Sequence, residues 1–331
     1  MKRLSLCIFL ISSLYVEAKE HIKTKHLQPS KIITTHWVNQ PEMFQSRGKH
    51  FRYKPLFESF DKDFFETHLL PQNAITYRND ISKTVHGSHL DSLINQALSQ
   101  LRDGKKQLTH FTIIKELEFN RSKLAGCMVL KFNDYPFVLK LFIETPQSFH
   151  RPRDKGFRHG QLSHISGGIN RYLAGFGRIK NLEATQQYII QNPQLSANID
   201  FPRKWFWQPQ KNKWFVLNGK GFGPQEFSVK LPEVYGIVTD EIVTTAPLHY
   251  VRKHYGRHIF KFCKSLKFNI DPNMKNFRLE QGTNKLVLID TEHFPTLLGL
   301  TEELQVDNYF SLHLFIGFKV IKDHVKTPKI S

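Results

Sequence analysis

The chain has 331 residues, of which 40% are hydrophobic, carries a formal net charge of +18 at pH 7 and holds only three cysteines. So few cysteines exclude a disulfide-stapled scaffold; an apolar core must carry the fold, and the length suffices for one two-lobed domain or two small ones. The positive excess favours anionic partners, among them nucleotides, nucleic acid, acidic lipid headgroups and polyanionic glycans, without choosing among them.

Met1-Lys2-Arg3, an apolar stretch from Leu4 to Val16 and the small residue Ala18 form a basic n-region, a short h-region and a cleavage point. This is the pattern of a secretory signal peptide over residues 1–18, so the mature protein is expected to be exported and soluble. The h-region falls short of the roughly 20 residues of a membrane-spanning helix, and no later run is long and apolar enough to span. Cys127 and Cys263 then remain in the mature chain. Residues 19–104 read as a polar, His- and Lys-rich N-terminal extension, irregular to about residue 75. It ends in an amphipathic helix over 91–101, where Leu90, Ile94, Ala97, Leu98 and Leu101 recur at helical spacing.

From residue 110 the pattern changes to strand. Segments 111–119, 126–132 and 137–143, the last entered through the turn Asn133-Asp134-Tyr135-Pro136, predict a three-stranded antiparallel meander. Lys140 stands in the third strand between Leu139 and Leu141, either as a solvated lysine on an open face or as a functional cation. The first connection, 120–126, holds a single glycine, with Ser122 and Lys123 as possible phosphate contacts. Residues 145–179 form a basic, glycine-bearing insertion, too long for a plain connection, which fits a lid, an anionic-substrate clamp or a solvated loop.

A helix is predicted over 181–191, with Glu183 its only acidic residue. Segments 204–207 and 213–217 read as an aromatic hairpin whose Trp205, Trp207, Trp214 and Phe215 are expected to pack in a core. The strand 234–238 runs into Thr239, Asp240 and Glu241. Over 248–268, Val251, Tyr255, Ile259, Phe262 and Leu266 mark a basic amphipathic helix. His254 and His258 lie at i, i+4 on it without a third ligand, and are expected to face solvent.

The most informative stretch follows. Asp271 is trailed five positions later by Asn276, and after a turn at 282–284 the apolar strand 286–289 delivers Asp290-Thr291-Glu292. A carboxylate near a substrate hydroxyl and an amide–carboxylate pair suited to Mg²⁺ are what phosphoryl transfer requires. The Asp-x-x-x-x-Asn loop followed by Asp-x-Glu resembles the protein-kinase-like superfamily, in its small-molecule form closest to aminoglycoside and choline kinases.

That resemblance covers about residues 105–300 and implies an α+β, two-lobed protein-kinase-like fold. Residues 105–243 would be an antiparallel-sheet N-lobe carrying the insertion, and 244–331 a small helical C-lobe closed by one or two helices such as 306–325. It further implies ATP and Mg²⁺ as cofactors. Lys140 would sit on the phosphates, with Glu183 orienting it or else merely favouring its own helix N-terminus. Thr239 and Glu241 would stand at the nucleotide hinge, where backbone groups read adenine. Asp271 would position or deprotonate a hydroxyl acceptor, and Asn276 and Asp290 would hold the metal. The chain departs from the family in its single loop glycine and in Asn269, which stands where a kinase has histidine. The alternative is a secreted pseudokinase or basic binding protein that holds an anionic partner, nucleic acid included, without chemistry.

Overall fold

In the computed structural model the described residues are 31–47, 59–150, 169–193, 198–221, 226–244 and 246–294, with isolated positions 308, 311–312 and 314–315. The first half runs through β1 (Ile32–Trp37), β2 (Met43–Arg47), α1 (Lys62–Thr67), β3 (Ala74–Thr76), β4 (Thr84–His86), α2 (Gly87–Arg102), β5 (Phe111–Asn120), β6 (Ala125–Phe132) and β7 (Phe137–Ile143). Then come α3 (Pro146–His150), α4 (Ile169–Gly175), α5 (Gly177–Gln191), β8 (Ile199–Asp200), β9 (Lys204–Trp207), β10 (Trp214–Lys220) and β11 (Phe227–Pro232). The chain continues with β12 (Val234–Asp240), α6 (Leu248–Ser265), β13 (Phe277–Leu279) and β14 (Leu286–Leu288). The fold is mixed α+β. A five-stranded sheet has the order β5-β6-β7-β12-β9, a four-stranded sheet β11-β10-β1-β2 and a three-stranded sheet β13-β14-β8, beside the β3–β4 ribbon. All pairs are antiparallel except β14 with β8.

The five-stranded sheet is covered on both faces, and strand alternation decides which side chain goes where. Phe137, Leu139, Leu141 and Ile143 of β7 bury against the stripe Leu90, Leu93, Ile94, Ala97, Leu98 and Leu101 of α2. On the other face Phe142, Tyr235, Ile237 and Phe206 meet Phe65, Tyr172, Phe176 and Ile179 from the helices and Phe215 and Leu217 from the four-stranded sheet. Each fully buried side chain of this size contributes about 1.5–3 kcal/mol. A third apolar cluster joins α6 through Val251, Ile259 and Phe262 to Leu286 and Leu288 of β14 and to Leu182 and Ile189 of α5. Helix α5 therefore spans two cores. Arg78, next to Tyr77 at the edge of the α2-side core, is joined to the third cluster's strands by donating to Glu280 at 2.8 Å, Asp200 at 2.7 Å and the Phe201 carbonyl at 2.7 Å.

The helices and strands predicted around residues 91–101, 111–143, 234–238 and 248–268 are present at nearly those positions. Three expectations are corrected. The N-terminal extension is not irregular throughout, because β1 pairs with both β2 and β10 and supplies Ile33 to the second core. His150 pins α3 to those strands, lying 2.6 Å from Thr35 Oγ1 and 2.6 Å from Ser46 Oγ, and burial lowers its pKa to about 4. The aromatic hairpin does not exist: β9 is the edge of the five-stranded sheet and β10 belongs to the four-stranded one, although Trp207 and Phe215 do bury as expected. Finally, the insertion is helical from residue 169, and α5 starts four residues earlier than the apolar pattern suggested. The signal peptide, residues 151–168 and most of 306–325 lie outside the described residues. No helix among the described residues is long and apolar enough to cross a membrane.

Cys127 on β6 and Cys263 on α6 are free and buried in different apolar clusters, and burial pushes both thiols up. A protein lacking residues 1–18 should therefore show no reactive thiol when folded and two when denatured without reductant. A count of zero in the denatured monomer would mean that β6 and α6 touch, contrary to this packing.

Candidate functional site

Lys140 is brought to the site by the same alternation that builds the core. Leu139 and Leu141 face α2, so Lys140 points to the opposite face, the side covered by α4 and α5. Its cross-strand neighbour on β12 is Ile237, which in turn pairs with Phe206 of β9. One row along, Val138, Thr239 and Lys204 line up across the same three strands. Lys140 and Lys204 therefore share one sheet face, with Thr239 directly beside Lys204 in its row and diagonal to Lys140.

Opposite that face, the apolar strand β14 ends and presents Asp290-Thr291-Glu292. Lys140 Nζ lies 2.9 Å from Asp290 Oδ2. From the first turn of α5, Arg178 places Nε 3.2 Å from Asp290 Oδ1, an ion pair without hydrogen-bond alignment, and donates from Nη2 to Glu292. Lys204 Nζ donates to Thr291 Oγ1 at 2.7 Å, and that hydroxyl donates to the Arg178 carbonyl at 2.7 Å. Asn181 Nδ2 completes the arrangement on the Thr291 carbonyl at 2.8 Å.

Three cationic side chains thus surround two carboxylates, and this surplus accounts for the titration behaviour. Burial alone pushes Asp290 up, but Arg178, Lys140 and Lys204 outweigh it and hold the carboxyl well below its ordinary range. Burial pulls Lys140 down, opposed by Asp290 and reinforced by Arg178. Lys204 is driven well below its usual value by burial and then by Lys140.

The Asp271 loop is stitched to the same strand. Helix α6 stops where Lys267 and Phe268 take left-handed φ values of 53° and 56°. Ile270 bridges to His293, and Ile289 N donates to the Asn276 carbonyl at 2.8 Å. Within the loop Asp271 Oδ1 accepts from Asn273 N at 3.0 Å and Oδ2 from Asn276 Nδ2 at 3.2 Å. Burial raises the Asp271 pKa to about 6, with the Asp290 charge adding to it, against the pull of its hydrogen bonds and of Arg171. Arg171 is itself paired with Glu118 of β5 at 2.8 Å.

The structure brings together Lys140, Asp290, Asp271 and Asn276 of the predicted site. It does not bring Glu183 to Lys140. Glu183 sits one and a half turns along α5 from Arg178 and pairs with His68 Nε2 at 2.9 Å, so Arg178 is the α5 residue that reaches the cluster. Glu241 is committed elsewhere, its carboxylate to Lys131 at 2.6 Å and its amide to the Pro136 carbonyl at 2.8 Å. Thr239 lies on the site face, and its buried hydroxyl has no hydrogen-bond partner among the described residues. Sequence reasoning missed Arg178, Lys204, Thr291 and Glu292 as parts of one cluster. The available signals were a lone lysine opening the apolar run 204–207 and an arginine just ahead of an apolar helix pattern.

The donor set fits Mg²⁺ in kind, since the Asp290 Oδ1 oxygen is buried without a hydrogen-bond partner and Asn276 adds a hard oxygen from the turn just ahead of β13. Among the described residues no group of three or more His, Cys, Asp or Glu side chains is placed to hold a metal. Any Mg²⁺ would therefore take most of its ligands from phosphate and water, the usual mode for this ion. An open cavity of about 510 Å³ lies elsewhere, between α2 and residues 209–211, and includes none of these side chains. No protein-family model, no curated protein and no solved structure matches this chain.

The raised Asp271 pKa has a direct consequence for stability. The folded state holds its proton up to about pH 6 while the unfolded chain loses it near pH 4, so stability falls as pH rises through that window. At about 1.4 kcal/mol per unit, the ionised carboxylate carries a penalty of about 1–3 kcal/mol above pH 6. Asp271→Asn should therefore gain stability relative to the wild type between pH 4 and pH 7.5 by about that amount, read from urea unfolding at both values. An equal difference at both pH values would show that Asp271 titrates normally.

Proposed function

We propose that this protein is a nucleotide-dependent phosphotransferase with a kinase-like, two-lobed site, acting on a hydroxyl-bearing acceptor. The observation that carries this reading is the 2.9 Å pairing of Lys140 on the third meander strand with Asp290 at the end of β14, next to the Asp271–Asn276 loop. Support also comes from the sheet order, in which the lysine strand lies beside β12, the strand that leads to residues 241–244, and from α6 running directly into the Asp271 loop.

In this reading Lys140 exchanges its contact with Asp290 for oxygens of the bound triphosphate. Asn276 and Asp290 would hold Mg²⁺, which when bound supplies charge neutralisation for the phosphates. Asp271 takes the proton of the acceptor hydroxyl as that oxygen bonds to the γ-phosphorus. The bond from that phosphorus to the bridging oxygen breaks, and its electron pair leaves with the diphosphate. A carboxylate with a pKa of about 6 is mostly ionised at pH 7 yet holds a proton better than an ordinary aspartate, as a general base requires. Catalysis of this kind depends mainly on positioning and charge stabilisation. A second reading, binding without chemistry, is favoured by the engagement of Asp290 with both Lys140 and Arg178.

Thermal-shift titration with ATP separates the two. Saturating ATP with Mg²⁺ should stabilise the wild type, by about 2.7 kcal/mol at a hundredfold excess over Kd. Asp290→Asn leaves three cations facing one carboxylate and should itself cost stability, so the readout is the ligand-induced shift, whose Mg²⁺-dependent part should vanish. Asp271→Asn should keep ATP affinity within about threefold while slowing transfer or ATP hydrolysis by about 10²–10⁴-fold. A wild-type protein that binds ATP and never turns it over would establish the binding role instead.

A further inference from the structure

The cluster around Asp290 contains more cationic charge than a lysine–aspartate pair needs. Arg178 is 1% exposed and Lys204 7%, yet each reaches the cluster from a different element, α5 and β9. Arg178 Nη1 has no hydrogen-bond partner among the described residues, and Lys204 Nζ is engaged only with Thr291 Oγ1 although an ammonium carries three donors. Thr239, also 7% exposed, is the cross-strand partner of Lys204 and adds a hydroxyl with no hydrogen-bond partner among the described residues, diagonal to Lys140 on the same face. Buried cations and orphaned donors in one place are costly unless an anion meets them. Lys140 and Asp290 are where the cluster meets solvent, their side chains being 17% and 19% exposed.

From this arrangement we infer that Arg178, Lys204 and Thr239, together with Lys140, form a cradle for an oligophosphate chain that binds without any metal ion. An oligophosphate suits the site because it spreads several anionic oxygens over a short frame and can be met from several sides at once, by ammonium, guanidinium and hydroxyl donors. Carboxylates of the cluster weigh against an anion, but Glu292 is held by Arg178 and Asp290 by Lys140 and Arg178, so the excess of cations stands. The inference rests on the placement of phosphates in the proposed function and not on the transfer reaction. The source of the chain, nucleotide or inorganic, is left to the experiment.

The test is calorimetric titration of the chain lacking residues 1–18, in EDTA, with tripolyphosphate, ATP, adenosine, inorganic phosphate and sulfate as separate ligands. Tripolyphosphate and metal-free ATP should bind, adenosine should not, and phosphate and sulfate should bind at least tenfold more weakly. Lys204→Met should weaken tripolyphosphate tenfold or more. It should fold, because Thr291 Oγ1 keeps its bond to the Arg178 carbonyl. Thr239→Val, nearly isosteric, should weaken the same ligand severalfold. Arg257→Met on the exposed face of α6 controls for the general attraction of a basic protein and should stay within twofold. Absence of tripolyphosphate binding, or equal losses in the Lys204 and Arg257 variants, overturns the cradle. Binding of ATP only with Mg²⁺ would also overturn it while leaving the phosphotransferase reading intact. Tight tripolyphosphate binding with no preference for ATP would uphold the cradle and remove the nucleotide.

Discussion

Asp290 is the charge around which this molecule is arranged. At Asp290 and its neighbour Thr291, side chains of β7, β9 and α5 meet the end of β14, and each of the three elements delivers a cation. Desolvating these charges costs several kcal/mol per ion, which their mutual attraction recovers only when the pairing is nearly complete. With three cations facing two carboxylates the pairing is not complete. The folded chain therefore sets three basic side chains against Asp290 and Glu292 in a poorly solvated place.

Aromatic packing adds to the ion pairs that position Arg178. Phe142 and Phe176 stack on Tyr235 with ring centroids 4.7 and 4.1 Å away, and Arg178 lies over Phe142 at 5.4 Å. The Tyr235 hydroxyl donates to the Tyr172 carbonyl and the Tyr172 hydroxyl to that of Pro232, which fixes α4 to the sheet. Gly175 is required at the α4–α5 junction because a Cβ there would lie 2.0 Å from the Tyr235 hydroxyl. In the first turn of α5 Arg178 is buried at the cluster while Lys180 is exposed, so only one of its two long cationic side chains is turned inward.

The parts of this arrangement that were legible in the sequence are those with a local cause. The meander, the position of Lys140, the helix before Asp271 and the strand before Asp290 each follow from periodicity and turn chemistry within a few residues. The Arg178–Glu292 and Lys204–Thr291 contacts have no such local cause, since they join residues far apart in the chain through the geometry of a whole sheet. The same holds for the error over β9 and β10. Two aromatic strands flanking a Pro-Gln-Lys-Asn stretch satisfy every local rule for a hairpin, but β10 pairs with β1 and β11. Glu183 failed for a different reason. Apolar spacing begins the helix at residue 181, whereas α5 begins at Gly177, so the turn that carries Arg178 to the cluster lies ahead of the apolar pattern.

Asp271 and Asp290 show how one residue type takes two characters within a single site. Both are largely withdrawn from solvent, and burial raises the proton affinity of each. Asp290 faces guanidinium and ammonium groups, which overwhelm that effect and keep it anionic. Asp271 meets neutral donors, Asn273 N and Asn276 Nδ2, and feels the Asp290 charge as a repulsion, so it keeps a pKa of about 6. Two carboxylates of one residue type are thus driven apart in proton affinity, one a fixed charge and the other titrating close to neutrality. The division is imposed by Lys140, Arg178 and Lys204. Anything that drew those cations away from Asp290 would leave more of its charge facing Asp271 and raise the proton affinity of Asp271 further.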